Sequence, residues 1–420
     1  MNTLKKWAAL GGAVSLAVCW PLAVGQIGQS IIEDGIAKLD SQTLKAEIIS
    51  YERGYLSSVV TTRYTIIDPV IAEQFEADGL PVEFEMRSDL THGLTSLDAQ
   101  SSLLGVETLP LTISSTTQLN GNTDFTIAMD SWNLQSEVEG VSVSTAPMSV
   151  NGRATVLGDL NFEFDVPSIQ VDFESGEELH LSHLKGTGQG KQQNGYWLGK
   201  QDIQVGELQL SDVDAQPVFG LYQSRYLGNT QLDAKGERLE SQLSFKTNKL
   251  LMSDGNEAHN LNLEFSLKNL DRQAFDEVMA IYHGSPVLME EDIAKILPHI
   301  DTLFDKGFAI AIDNLSMTLG EGKFENQWHL QIPQGTDKIT QDPMKIITAM
   351  QGDVHTYFSN ELVTQYPFIQ EGVDELLVME LLEQIEGGYQ LKADIKEGKL
   401  VFENGQAFPL FSLLMPAMMQ

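Results

Sequence analysis

Cysteine is almost absent from this chain of 420 residues: the single one, Cys19, lies in an apolar run near the N-terminus. Disulfide bonds therefore cannot hold the rest of the chain together. The same scarcity excludes cysteine-ligated zinc, iron–sulfur clusters and a cysteine nucleophile beyond that run. The remaining residues must be held by an apolar core and by hydrogen bonds.

Basic residues are also scarce. The chain has 26 Lys and Arg against 59 Asp and Glu, which gives a formal net charge of −33. Nucleic acids and anionic lipid headgroups need clustered basic side chains over a large area. The composition therefore excludes nucleic acid as a partner, and it indicates a soluble, self-repelling surface.

Motifs with catalytic or metal-binding spacing are missing as well. Ser57 and Ser58 lack the G-x-S-x-G elbow, and no H-E-x-x-H is present. His180 and His183 lie in an alternating segment, where residues three apart face opposite sides of a strand, so we do not expect them to share a metal ion. The segment Gly186–Gly190 fits no phosphate-binding loop and favours a flexible loop. We therefore predict no catalytic residue, metal or cofactor.

The chain does contain an apolar run, Trp7 to Val24, which follows Lys5 and Lys6. Positive charge before the run and acid after it predict that the rest of the chain is exported. The run is just long enough for a transmembrane helix, and small residues before Gln26 also permit signal-peptide cleavage near Gly25. A lipid-modified Cys19 is a third alternative. Residues 26–43 have helical periodicity and predict a stem after an anchor.

From Leu44 the apolar period changes to two, which is typical of strands. Runs of this kind continue to Leu270, with Asn-Gly and Ser-Gly turns between them and no helix long enough for a parallel crossover. We therefore predict a mainly β fold with a few helices, built on long, twisted or curled antiparallel sheets. The predicted domains are an N-terminal β region, 44–270, and a C-terminal α+β region, 271–420.

Helices are predicted at only a few places in the chain, from helical spacing and capping residues. They are Val70 to Ala77, Arg272 to His283 with Asp271 as N-cap, Glu290 to Phe304, Ser359 to Gln365, and Asp374 to Ile385. A hairpin from Tyr389 to Phe402 and an apolar tail, Phe408 to Met419, follow.

Three features together resemble the YdgA-like family of Gram-negative bacteria, a domain of unknown function. The first is the N-terminal run followed by Tyr51-Glu52-Arg53-Gly54-Tyr55-Leu56-Ser57-Ser58, which looks like that family's hairpin motif. The second is Asp353-Val354-His355 with the helical segment after it, and the third is the closing hairpin with its tail. The resemblance implies a periplasmic protein anchored at the inner membrane, and it implies no reaction. Its motif residues, Tyr51, Arg53, Gly54, Ser57 and Ser58, are structural in type.

Gly54 separates two strand patterns in this motif, so we expect it to adopt a turn conformation with positive φ. For the whole chain, the leading hypothesis is a non-enzymatic periplasmic scaffold or binding protein, and the alternative is a carrier of lipid or another hydrophobic ligand in a β-sheet groove. A hydrolase without a recognisable motif comes third. The expected partners are the inner membrane, a lipid or envelope protein, and a second copy of the chain.

Overall fold

The structure is a computed structural model that describes residues 44–69, 72–73, 81–105, 109–136, 140–193, 195–284 and 288–411. The predictions for Trp7 to Val24, for the stem 26–43, for most of Val70 to Ala77 and for most of the apolar tail fall outside these residues. Contacts divide the chain into two compact units, unit 1 (Met1–Ser175) and unit 2 (Gly176–Gln420). Within the described residues, no helix is long and apolar enough to cross a membrane.

Unit 1 is a sheet of antiparallel strands in which chain neighbours pair. The ladder runs β1–β2–β3–β4–β5–β6–β9–β10. Short β7 and β8 extend β6 and β9, so that β10 pairs first with β9 and then with β8. The strands are β1 Leu44–Arg53, β2 Ser57–Ile66, β3 Glu83–His92, β4 Ser96–Leu104, β5 Leu111–Gln118, β6 Thr123–Met129, β7 Trp132–Ser136, β8 Val141–Thr145, β9 Met148–Ala154 and β10 Leu160–Phe173.

Unit 2 is built mainly of longer antiparallel strands. Consecutive strands pair from β11 to β18, β18 pairs with β20, and β19 and β21 also pair with β20. The strands are β11 Glu178–Gln193, β12 Tyr196–Ser211, β13 Pro217–Leu232, β14 Arg238–Leu251, β15 Glu257–Asp271, β16 Phe308–Leu319, β17 Gly322–Ile332, β18 Gln351–Ser359, β19 Glu383–Ile385, β20 Gly388–Lys396, β21 Lys399–Phe402 and β22 Ala407–Pro409.

Five described helices interrupt the strands of unit 2. They are α1 Arg272–Gly284, α2 Glu290–Lys306, α3 Met344–Ala349, α4 Asn360–Gln365 and α5 Pro367–Val378. The predicted cap of α1 is confirmed, because the Asp271 carboxylate accepts a hydrogen bond from Ala274 N–H at 3.0 Å. The mainly β, antiparallel fold with few helices is confirmed. The predicted change of architecture at 270/271 lies one residue before α1, whereas the compact units divide at 175/176.

Two predictions of secondary structure are wrong. The helix predicted from Asp374 to Ile385 begins seven residues earlier and ends at Val378, and Glu383–Ile385 is a strand. The segment Gly186–Gly190 is not a loop but lies inside β11, where it pairs with β12. There Gly190 lies opposite Gly199, and a Cβ at either position would meet the partner strand's backbone. The glycines therefore serve close strand approach and not flexibility.

The cores are small and lie on one face of each sheet. In unit 1, Val60, Leu90 and Leu97 form a buried cluster. In unit 2, α1 and α2 bury Ala274 and Leu303 against Leu239 and Leu270, at one end of the strands. A second cluster, of Val363, Val373 and Leu382, packs near β18 and β20. The helices therefore cover separate parts of the apolar face.

Candidate functional site

The hairpin motif forms the connection between β1 and β2. Gly54 N–H donates to the Ser57 carbonyl at 2.7 Å, which closes the turn. The expected positive φ at Gly54 is wrong, since this residue is not among the glycines in that region. Glycine is required for a different reason: a Cβ there would lie 2.8 Å from the Ser57 carbonyl oxygen. Close approach of the backbone, not a left-handed conformation, explains this position.

Tyr51 and Arg53 occupy the other strand of the hairpin. Tyr51 pairs with Val60 across the ladder and packs against the buried cluster of unit 1. Arg53 pairs with Ser58 and is exposed. The motif therefore contains a residue of β1 that packs on the core, Tyr51, and a buried polar residue of β2, Ser58.

Ser58 makes a buried hydrogen bond with a residue that the sequence analysis did not single out, His92. Ser58 Oγ lies 2.8 Å from His92 Nε2, and the two residues are 2% and 5% exposed. His92 Nδ1 lies 3.3 Å from the Tyr55 carbonyl oxygen, which can only accept, so Nδ1 carries the proton and Nε2 accepts from the Ser58 hydroxyl. The sequence does indicate a second turn of the same kind beside His92, because Gly93 and Ser96 have the same spacing as Gly54 and Ser57.

This pair has the hydrogen-bond pattern of a serine nucleophile and its base, but not the access that catalysis needs. Ser58 lies within β2 with its side chain inside the sheet packing, where a substrate carbonyl cannot reach it. His92 N–H also donates to the Leu56 carbonyl at 2.8 Å. These hydrogen bonds therefore connect the β1–β2 turn to the β3–β4 turn.

Replacing Ser58 with alanine is expected to lower the free energy of unfolding by about 1–2 kcal/mol, because His92 Nε2 loses its buried partner. The matched control is Ser57→Ala, since Ser57 is exposed and should tolerate the change. Urea denaturation measures both. Covalent labelling of Ser58 by a fluorophosphonate, a reagent for activated serines, would contradict the structural role.

A row of large apolar side chains crosses the middle of the unit 2 sheet. Successive ladders place its members directly opposite one another on β14, β15, β16, β17 and β18. We call this set the apolar row: Leu243, Phe265, Ile312, Trp328 and Val354. All five are half-buried, and among the described residues none belongs to the clusters under the helices. Each of these five side chains thus keeps part of its surface accessible between the two covered areas.

The opposite face of the same strands carries a groove of about 890 Å³, whose lining is mostly polar but also includes atoms of Leu227, Leu243 and Phe265. Gln242 and Ser244 flank Leu243 in β14 and therefore point to this other face. The groove also contains Asp202, whose carboxylate accepts from the Arg225 guanidinium at 2.9 and 2.6 Å. These charge-assisted hydrogen bonds lower the pKa of Asp202. The charged pair and the side chains of Gln242 and Ser244 thus lie on this face, whereas the five side chains of the apolar row point to the other.

The histidines considered as metal ligands lie in β11, but the strand is irregular there. His183 has φ 53°, and the ladder passes from Ser182–Glu207 to Lys185–Gln204. The register is nevertheless the same on both sides of His183, so no residue is inserted in either strand, and the expectation that His180 and His183 face opposite sides stays a prediction. In the part of the chain that the structure describes, no group of three or more His, Cys, Asp or Glu could hold a metal ion.

Comparisons with known proteins identify one family. Residues 4–411 match the model of a family described as "Bacterial protein of unknown function (DUF945)". No curated protein and no solved structure matches the chain. The match covers residues of both units.

Proposed function

Because the chain belongs to the DUF945 family of bacterial proteins of unknown function, we propose a function from its own surfaces: a non-enzymatic periplasmic protein that holds an acyl chain or another hydrophobic ligand on the apolar row. The run Trp7 to Val24 anchors it at the inner membrane, or is cleaved near Gly25 to release it. The resemblance to the YdgA-like proteins supports this address. A cytoplasm-dependent reporter that is active at the C-terminus would contradict it.

One observation carries the ligand proposal: five half-buried apolar side chains stand in register across five strands, with polar residues on the reverse face. Four strand spacings of about 4.8 Å give the row a length of about 19 Å. This is comparable with one acyl chain, which fills half of a hydrocarbon core of about 30 Å. Phe265 and Trp328 supply aromatic contact area, as in most hydrophobic ligand sites.

Protein purified from membranes without detergent is expected to carry lipid, which organic extraction and mass spectrometry would detect.

Trp328→Asp should lower the affinity for a fluorescent fatty acid about tenfold or more, equivalent to about 1.4 kcal/mol of lost contact. Gln327→Asp is the matched control, since it adds the same charge one residue away on the exposed, polar face. Trp328→Ala, which adds no charge, should also weaken binding.

Circular dichroism and thermal melting must first show that each variant is folded. If folded wild-type protein carries no lipid and binds no fatty acid, the ligand proposal is wrong and the scaffold hypothesis takes its place. Equal losses in Trp328→Asp and Gln327→Asp would also contradict a site on the apolar row.

A further inference from the structure

Four turns at one end of the unit 1 sheet have an unusual composition. They connect β1 to β2, β3 to β4, β5 to β6 and β9 to β10, and an antiparallel order brings them to the same end of the strands. The residues between the paired strands are 54–56, 93–95, 119–122 and 155–159, and Asp159 is the one Lys, Arg, Asp or Glu among them. In a chain with 20% charged residues, three of these four turns therefore contain no charged side chain.

Large apolar side chains project from three of these turns. We call them the apolar rim: Tyr55, Leu56, Leu94, Val156 and Leu157. They are 43%, 56%, 72%, 59% and 80% exposed. Single exposed apolar residues are common, but five at one end of one sheet indicate an interaction surface.

Hydrogen bonds join the four turns into one edge. His92 N–H donates to the Leu56 carbonyl at 2.8 Å, and Leu119 N–H donates to the Thr95 carbonyl at 3.2 Å. Val156 N–H donates to the Asn122 side chain at 3.4 Å, and the Val156 side chain packs against Gly121. The buried hydrogen bond between Ser58 and His92 also connects the first two turns. The rim is therefore a fixed arrangement and not a set of independent loops.

The described turns of unit 2 provide the contrast. Those after β12, β13 and β14 contain Asp212, Asp233 and Asp254, whose carboxylates accept hydrogen bonds from turn N–H groups. This is the ordinary way in which a hairpin turn is satisfied and solvated. Val213, in the first of them, is the exposed apolar residue of that set, and it has Asp212 and Asp214 beside it. Large exposed apolar side chains are thus more numerous in the turns at this end of unit 1 than in these three turns of unit 2.

We propose that the apolar rim inserts into the surface of a lipid bilayer. Side chains on separate turn tips project outward, and a bilayer accepts such a row without a complementary pocket. Tyr55 suits the interface, since its ring is apolar and its hydroxyl reaches the headgroups. The net charge of −33 opposes anionic headgroups, so the rim fits a neutral or zwitterionic lipid surface. This contact goes beyond ligand binding on the apolar row and does not depend on it.

The test uses the full chain with Cys19→Ser, reconstituted in phosphatidylcholine vesicles, and an environment-sensitive nitrobenzoxadiazole label on one introduced cysteine. Leu157→Cys places the label on the rim. Asp214→Cys is the matched control, because it lies on an exposed turn of unit 2. The expected result is a blue shift of emission at position 157, with quenching by a lipid-borne nitroxide, and neither effect at position 214. Leu94→Cys is a second rim position, in case the first labelled variant does not fold.

Three outcomes would overturn the proposal. Unchanged emission at positions 157 and 94 in vesicles would mean that the rim does not meet lipid. Equal quenching at position 214 would indicate general association with the vesicle. A blue shift that lipid-borne nitroxide does not quench would mean that another protein, or a second copy of the chain, covers the rim. Because no label replaces a residue of the apolar row, failure here leaves the fatty-acid result on Trp328 unaffected, and the reverse also holds.

Discussion

Gly322→Ala is expected to destabilise unit 2 by about 3 kcal/mol, at the upper end of the cost of overpacking. Gly322 is buried at the start of β17, and a Cβ there would collide with the backbone N and Cα of Leu362 in α4. Leu362 is completely buried, so the helix cannot move aside without opening its contact with the sheet. The Ser359 hydroxyl accepts from both Lys323 N–H and Leu362 N–H, which fixes the same contact.

The matched control is Gly372→Ala in α5, which should change stability in the opposite direction. Gly372 is exposed, and a Cβ there would meet nothing within 4 Å. Alanine favours a helix interior over glycine by up to about 1 kcal/mol. Chemical denaturation of the two variants would measure both effects. Equal destabilisation by both, or none by Gly322→Ala, would contradict the packing of α4 on β17.

Asp276→Ala is expected to lower the free energy of unfolding by about 3 kcal/mol, since hydrogen bonds to a charged group contribute about 1.5–3 kcal/mol. Its carboxylate accepts from Tyr196 O–H at 2.7 Å and from Gln193 at 2.9 Å, and Arg272 of the same helix lies 3.4 Å away. Together these contacts attach α1 to the β11–β12 hairpin. The neighbouring Glu277 is exposed, so Glu277→Ala should stay within about 0.5 kcal/mol of the wild type.

The same cluster predicts a loss of stability in alkali. Burial, and then the hydrogen bond to Asp276, raise the pKa of Tyr196 in the folded protein. The unfolded chain has a tyrosine pKa near 10, so its ionisation begins first, and the stability contributed by neutral Tyr196 decreases as pH rises above about 10. Thermal melting between pH 8 and 11 checks this. Tyr196→Phe should reduce the slope, and an unchanged slope would contradict the assignment.

The hairpins were predictable because their information is local. Alternating apolar residues and a glycine between Arg53 and Tyr55 determine where two strands end, and the ladder from Arg53–Ser58 to Ser50–Thr61 follows from that turn. The shift of register between Ile48 and Ser50 does not. The partner of Ser58 was not predictable in the same way. His92 is 34 positions away, and its position beside the first turn depends on the register in which β2 pairs with β3.

The misplaced helix shows a second limit. Apolar residues continue in helical spacing as far as Leu382, which predicts a helix through that point. In the structure α5 begins at Pro367, a favoured first position, and ends in a Schellman motif: Leu381 N–H donates to the Leu376 carbonyl at 2.9 Å, and Glu380 has φ 58°. The left-handed residue is normally glycine, so a glutamate there leaves no sequence signal. Burial of Leu382 in the cluster near β20 accompanies this termination.

The faces of the sheet illustrate the third limit. Alternation predicts that each strand has an apolar side, but not which strands lie under a helix. The apolar row became recognisable only when register aligned Leu243 with Phe265 and Trp328 with Val354. The apolar rim likewise required the order of the strands, since Leu94 and Leu157 are far apart in sequence and belong to the same end of the sheet.

The pairing of each strand with near neighbours in the chain also bears on how the molecule forms. In the described residues, the ladders join strands that are at most three places apart in chain order. Contacts that close short segments cost little chain entropy, and a low contact order favours fast folding even in β structure. A chain that emerges N-terminus first can therefore fold by sequential pairing, in which each new strand pairs with a strand that formed shortly before it. Until the next strand pairs with it, the last folded strand has unpaired backbone N–H and C=O groups. Strands of other molecules can pair with these groups, so aggregation competes with folding at that edge strand.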